Sequence, residues 1–286
     1  MKRIAKWLGI GLAGLIGLLV LAAIGVFLVS GYMLGRSHEA KAETLSLPSA
    51  ELLADAPRQA RIQGCLTCHG EGLRGKVMFD APPFARVTAP NLTQVAARAT
   101  DQQLAAAIRQ GIGHDGRALF IMPSPQYSRM SDAEVAALIA FIRSQPRAPG
   151  NTEGFQPGPI GRAIVVTGGI RSAPAKMEEY RTKAPIHLGA QHAAGRRLVA
   201  NSCSECHGPA LDGQALEDGS TVPNLTIAGA YDYEQFRTLL RTGVTPGNKK
   251  LGLMKEVAEK DFVHLTDAEI KSAHDYLRAR AQMIGN

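Results

Sequence analysis

The pattern C-x-x-C-H occurs twice, as CLTCH from Cys65 to His69 and as CSECH from Cys203 to His207, and the two copies account for all four cysteines of the chain. Residues i, i+3 and i+4 share one face of a helical turn. On such a turn Cys65 and Cys68 can each add a thiol across a haem vinyl group while His69 turns its imidazole towards the iron, and Cys203, Cys206 and His207 repeat the arrangement. A structural zinc site, a thioredoxin-like pair and plain disulfides are the competing readings. Zinc would have to collect four ligands from motifs 138 residues apart, and a redox pair has no use for the following histidine in both copies. The spacing therefore predicts two covalently attached c-type haems and their iron.

A chain of 286 residues is about two domains long, and the motifs divide the part after residue 35 into two similar stretches. Aromatic residues make up only 5%. A haem supplies the large flat apolar body that a small domain otherwise builds from Phe and Trp, which eases the poor surface-to-volume ratio of a short chain. Each half is expected to fold around its cofactor.

The first 35 residues are different material. Lys2, Arg3 and Lys6 precede an uncharged run from Trp7 to Gly35, which as a helix exceeds the roughly 30 Å of a bilayer core. An uncleaved single-pass anchor is the favoured reading. The alternative is a signal peptide cut near Ala40 and Ala42, but signal cores are usually about 7 to 15 residues long. Basic residues at the extreme N-terminus place that end in the cytoplasm.

Charge excludes more than it suggests. The formal net charge is +7, but three positive charges precede the span, and Lys plus Arg against Asp plus Glu is 11 minus 9 over residues 43–150 and 11 minus 12 over 186–286. No basic stripe argues for nucleic acid.

The two halves repeat one order of features. After the first motif come Pro90-Asn91-Leu92-Thr93, a helical pattern TDQQLAAAIRQG from Thr100, then Met122, and a helix SDAEVAALIAFIRS from Ser131. After the second come Pro223-Asn224-Leu225-Thr226, DYEQFRTLLRTG from Asp232, then Met254, and TDAEIKSAHDYLRARAQ from Thr266. Proline to methionine is 32 residues in one half and 31 in the other. Ser131 with Glu134 and Thr266 with Glu269 read as capping boxes, and an aromatic, Phe141 or Tyr276, follows each cap by ten residues. Helical patterns also lead into both motifs. No alternating strand pattern of useful length is evident, so the fold class is mainly α: an N-terminal transmembrane helix and two similar units.

The motif near the domain start, the PNL loop, the later methionine and the terminal helix with its aromatic together resemble the class I cytochrome c domain, in tandem over about residues 50–147 and 187–284. The resemblance implies that His69 pairs with Met122 and His207 with Met254 as axial iron ligands. It also implies that the carbonyls of Pro90 and Pro223 hold the histidine rings, a contact that fixes ligand orientation and basicity. Met78 stands only nine residues past His69 and Met130 at a helix start; His264 competes with Met254 in the second half. His38, His114, His187, His192 and His274 read as solvated or capping residues.

The expected organisation is an anchor over 1–41, cytochrome c domains over 42–147 and 187–286, and a proline-rich connector over 148–186. Within the connector, Ile160 to Ile170 is apolar enough to need cover, either between the two haem domains or as a docking strip against a partner or the membrane surface. The resemblance extends to membrane-anchored cytochrome subunits of respiratory complexes and dehydrogenases. It implies haem domains on the periplasmic side of a bacterial inner membrane and single-electron transfer between a quinol-linked complex or dehydrogenase and a terminal oxidase or soluble cytochrome. On that reading the chain is an electron carrier rather than an enzyme. A two-haem peroxidase is the alternative from another class, and a relay subunit of a larger oxidoreductase is a third reading.

Overall fold

A computed structural model describes residues 2–215, 221–248 and 251–285 of the chain. The N-terminal run is one helix, α1 (Lys2–Gly35), the one helix among the described residues long and apolar enough to cross a membrane. It presents apolar side chains on every side, a surface that suits a bilayer and not water.

The chain then forms α2 (Ala50–Ile62), the short turn α3 (Cys65–His69), an antiparallel hairpin of β1 (Lys76–Ala81) and β2 (Ala85–Ala89), α4 (Leu92–Ala96), α5 (Asp101–Gln110), α6 (Ser124–Tyr127) and α7 (Asp132–Ser144). β3 (Phe155–Pro157) pairs with β2, and α8 (Pro159–Val166) and α9 (Ala173–Thr182) follow. The order then recurs: α10 (Ala193–Ser202), α11 (Ser204–His207), a short hairpin of β4 (Gln214–Ala215) and β5 (Thr221–Val222), α12 (Tyr233–Thr242), α13 (Gly252–Lys260) and α14 (Asp267–Gly285).

Local chemistry starts and stops these helices. α5, α7, α12 and α14 begin on reciprocal caps, Thr100 with Gln103, Ser131 with Glu134, Asp232 with Gln235 and Thr266 with Glu269, each satisfying amides that the first turn leaves unpaired. α5 and α12 both end on a left-handed glycine, Gly111 and Gly243. The apolar faces then build two cores, one around Leu73, Leu104, Val135 and Leu138, the other around Val199, Leu211, Phe236, Ile270 and Tyr276. α2 crosses α7, and α10 crosses α14. At the second crossing a Cβ on Gly195 would lie 2.0 Å from the Ser272 carbonyl oxygen, so the backbones meet directly.

Three features depart from the sequence reading. The hairpin of β1 and β2 shows no alternation because β1 is exposed along nearly its whole length and carries a bulge between Val77 and Phe79. His274 is buried rather than solvated: its Nε2 donates to the Tyr231 carbonyl (2.8 Å) and its ring packs against Tyr233 and Phe236. Ile160 to Ile170 is not sandwiched between the two haem units. Its first half is α8, which packs on the C-terminal end of α1.

Neither the tether nor the connector hangs free. Past α1, the His38 amide donates to the Gly116 carbonyl (2.8 Å), Lys41 and Gln110 exchange two hydrogen bonds (2.9 and 2.8 Å), and Glu43 forms a largely buried ion pair with Arg109. In the connector, the Asn91 amide donates to the Asn151 carbonyl (2.8 Å) and the Ala173 amide to the Leu119 carbonyl (2.7 Å). Both segments are thereby fastened to the first unit.

The two units meet through α2 and the motif turns. Arg58 of α2 bonds Asp55 of its own helix and reaches across to Glu269 (2.7 and 3.0 Å) and the His264 carbonyl (3.0 Å). Thr67, inside the first motif, donates to Asp261 of the second unit. Reciprocally, the Glu205 amide inside the second motif donates to Gln126 of α6 (3.2 Å), and the Tyr180 hydroxyl donates to the Ser204 carbonyl (3.0 Å). Each attachment turn therefore touches the other unit.

Burial pushes the Asp261 carboxyl up from 3.8 to about 6, against the opposing pull of the Thr67 hydroxyl. A folded-state value above the unfolded one gives stability that is full below about pH 4 and lost as pH rises through about 6. Asp261→Asn should therefore leave the protein at least as stable as wild type above pH 6, by on the order of 1 kcal/mol, and should flatten the difference in thermal midpoint between pH 4 and 7. A variant that is less stable at pH 7, with an unchanged pH profile, would contradict this.

Candidate functional site

In the first unit α3 presents its motif to a cleft of about 380 Å³. Cys65, Cys68 and His69 line it together with Pro90 and Met122, and the remainder is largely apolar, with Leu92, Leu104, Leu138 and Phe141 among the walls. His69 is buried, and its Nδ1 lies 2.8 Å from the Pro90 carbonyl oxygen. A carbonyl can only accept, so Nδ1 carries the proton and the lone pair is left on Nε2. Burial lowers the pKa of His69, which keeps the ring neutral and ready to ligate. Met78 and Met130 also reach the cleft, but Met78 sits on exposed β1 and Met130 is packed into the core.

The second unit repeats the arrangement. His207 Nδ1 lies 2.9 Å from the Pro223 carbonyl oxygen, and burial again lowers its pKa. Cys203 and Met254 are both partly buried against one core cluster. His264, the competitor of Met254, instead lies at the junction with the first unit, where its backbone carbonyl accepts from Arg58 and its ring feels the charges of Arg61 and Arg58. His114 lines the first cleft, a position that its sequence context did not indicate.

Residues outside the sequence-derived set hold the histidines in place. Each motif continues as H-G-x-x-L-x-G, through Gly70, Leu73 and Gly75 or Gly208, Leu211 and Gly213. The Gly75 amide donates to the His69 carbonyl (2.7 Å) and the Gly213 amide to the His207 carbonyl (2.8 Å). Both glycines are left-handed (φ 89° and 83°), and a Cβ would lie 2.9 Å from the Asn91 amide nitrogen in one and 2.6 Å from the Val222 carbonyl oxygen in the other. Only glycine lets the loop pass so close to the proline that holds the ring. Leu73 and Leu211 are also left-handed (φ 57° and 65°) and fully buried; the strain of about 1–2 kcal/mol is offset by burying a leucine, about 1.5–3 kcal/mol. The repeated spacing of these residues was the available signal. Asn91 caps α4, while Asn224 accepts from the Thr226 amide and from buried Arg280 (3.0 Å).

This donor set fits a covalently held haem and not its rivals. A thioredoxin-like pair needs a thiol with a depressed pKa, whereas burial pushes Cys65 and Cys203 up to about 12 and raises Cys68 and Cys206 as well. Among the described residues no three His, Cys, Asp or Glu side chains converge as a zinc site requires. An apolar cleft of cofactor size, two thiols on one wall and a neutral imidazole held by a carbonyl are what a c-type haem needs.

Comparison with known proteins agrees. Residues 55–146 match the cytochrome c family model, and residues 190–277 match the model for subunit III of cbb3-type cytochrome c oxidase. The chain is 27% identical, over 75% of its length, to the fructose dehydrogenase cytochrome subunit of Gluconobacter japonicus. It is 25% identical, over 90% of its length, to the cytochrome c subunit of the quinone alcohol dehydrogenase of Gluconobacter oxydans. Identity to the gluconate 2-dehydrogenase cytochrome c subunit of Pantoea cypripedii is 25% over 77% of the chain. These alignments span 50%, 59% and 57% of the respective relatives. Repeated architecture, donor set and family models converge: residues 55–146 and 190–277 are two cytochrome c domains.

Proposed function

We propose that this chain is a membrane-anchored dihaem cytochrome c that relays single electrons as a subunit of, or direct partner to, a membrane dehydrogenase. The observation that carries the reading is the duplicated histidine-to-proline-carbonyl bond in two domains whose attachment turns each touch the other domain. A c-type haem held in such a site supplies an iron that cycles between ferrous and ferric states without making or breaking a substrate bond. The chain's own residues do the rest. Cys65 with Cys68 and Cys203 with Cys206 fasten the cofactor, His69 and His207 offer neutral Nε2 lone pairs, and Met122 and Met254 offer thioether sulfurs. His/Met ligation raises a haem potential. It also caps the iron, which separates a carrier from a peroxidase with its open site.

The fastened tether supports a fixed relay over a free shuttle, because hydrogen bonds at residues 38 and 41 and the Glu43–Arg109 pair leave the first domain little reach. The relatives' roles as dehydrogenase cytochrome subunits support a dehydrogenase as electron donor. Orientation follows from Lys2, Arg3 and Lys6, which favour a cytoplasmic N-terminus and domains on the outer side.

Two haems should remain bound to the denatured chain, and the double variants Cys65→Ala/Cys68→Ala and Cys203→Ala/Cys206→Ala should each remove covalent attachment at one site only; mass spectrometry of the denatured protein measures this, and an apo mass for wild type would refute it. Met122→Ala and Met254→Ala should each lower one of two potentials, on the order of 0.1 V, and open that iron to carbon monoxide. Redox titration with carbon monoxide difference spectra checks both. A shift in the second haem with His264→Ala, and none with Met254→Ala, would overturn that ligand.

A further inference from the structure

α1 is longer than a bilayer requires, and a second element is built on its surplus. From Trp7 its uncharged run extends about 43 Å against about 30 Å of hydrocarbon. With Trp7 near the inner boundary, the acyl region ends around residue 27. α8 docks at that level. Arg162 Nη1 donates to Ser30 Oγ (3.0 Å), and its guanidinium carbon stands 4.5 Å from the Phe27 ring centroid, a cation–π contact. Arg162 is the single charged residue of α8, and it is turned onto α1.

The start of α8 is fixed to the turn between β1 and β2. The Gly158 amide donates to the Phe84 carbonyl (2.8 Å) and the Ile160 amide to the Pro83 carbonyl (2.9 Å). A Cβ on Gly161 would lie 2.0 Å from the Phe84 oxygen, so helix and turn pack backbone on backbone. On these adjoining segments Phe84 and Ile160 remain 47% and 44% exposed. Two large apolar side chains thus stand open near the outer end of the anchor, one on α8, which packs on the anchor, and one on the turn fastened to α8.

We propose that α8 and the Pro82–Phe84 turn are seated in the boundary between headgroups and acyl chains of the bilayer that α1 crosses. Phe84 and Ile160 insert as apolar wedges, and Arg162 lies at headgroup depth, where its long stem and charged tip are both accommodated. Together with the fastened tether, this holds the first cytochrome domain in one orientation on the membrane. Leu34 of α1 contributes to the wall of the first haem cleft, so that cleft is fixed close to the bilayer surface. The inference rests on reading α1 as an uncleaved anchor.

The test uses the full-length, haem-loaded protein in nanodiscs of phosphatidylcholine and phosphatidylglycerol containing a phospholipid with a diazirine on its acyl chain. After photolysis, carbene adducts are mapped by peptide mass spectrometry. Adducts should appear in α1, in Pro159–Val166 and in Phe79–Phe84, on the order of tenfold above Leu47, which is 97% exposed, because an acyl-borne carbene reaches only groups at acyl depth. The exposed-site double variant Phe84→Asp/Ile160→Asp should keep both haem spectra and the α1 adducts while its α8 adducts fall to the Leu47 level. Labelled α1 with α8 and the turn at background would overturn the proposal, the surface then facing water or a protein, and would leave the anchor standing. Unlabelled α1 would remove the anchor reading and the proposal with it.

Discussion

A hydrogen bond from the motif histidine to a proline carbonyl, made twice at 2.8 and 2.9 Å, is the contact on which both sites depend. It sets the tautomer, aims Nε2 and raises the donor strength of the ring. Much of each domain serves to hold it. The left-handed glycines bring the loop under the proline, and the buried leucines lock that loop into the core. Asn91 and Asn224 fix the chain just after the proline. The domains differ in how they span the gap between histidine and proline, 21 residues in the first and 16 in the second. The longer hairpin of the first domain gives β2 enough edge to take up β3.

The same contacts explain how two small domains act as one body. Thr67 against Asp261 and Glu205 against Gln126 place each attachment turn on its neighbour, while Arg58 bridges carboxylates from both domains. Ile62 of α2 belongs to the core of the second domain, so the junction has an apolar centre as well as a polar rim. At the other end, tether and connector are fastened to the first domain. A one-electron carrier gains from this rigidity, because outer-sphere transfer depends on distance and rearranges few atoms.

Much of this was legible in the sequence. The motifs, the PNL loops, the capping boxes and the apolar anchor are local signals with local causes, and the structure places Ser131, Thr266, Phe141 and Tyr276 as their spacing implied. What the sequence hid is tertiary. β1 carries no alternating pattern because neither of its faces is covered. His274 reads as a solvated or capping residue until the Tyr231 carbonyl, from a distant segment, accepts a hydrogen bond from its ring. The proline-rich connector looks like a spacer, since proline forbids long regular elements, yet short helices start at Pro159 and around Pro174 and pack where no periodicity foretells. Contacts between the domains join residues about 200 positions apart, such as Arg58 and Glu269, and no local rule reaches that far.

The most direct test of a two-station relay is to inject one electron and watch it redistribute. After flash photoreduction of fully oxidised protein in nanodiscs, the absorbance change that reports sharing between the two haems should follow a first-order rate that stays constant as protein concentration is varied over a tenfold range. A rate that grows in proportion to concentration would mean that electrons pass between molecules and not within them, and the relay would be refuted.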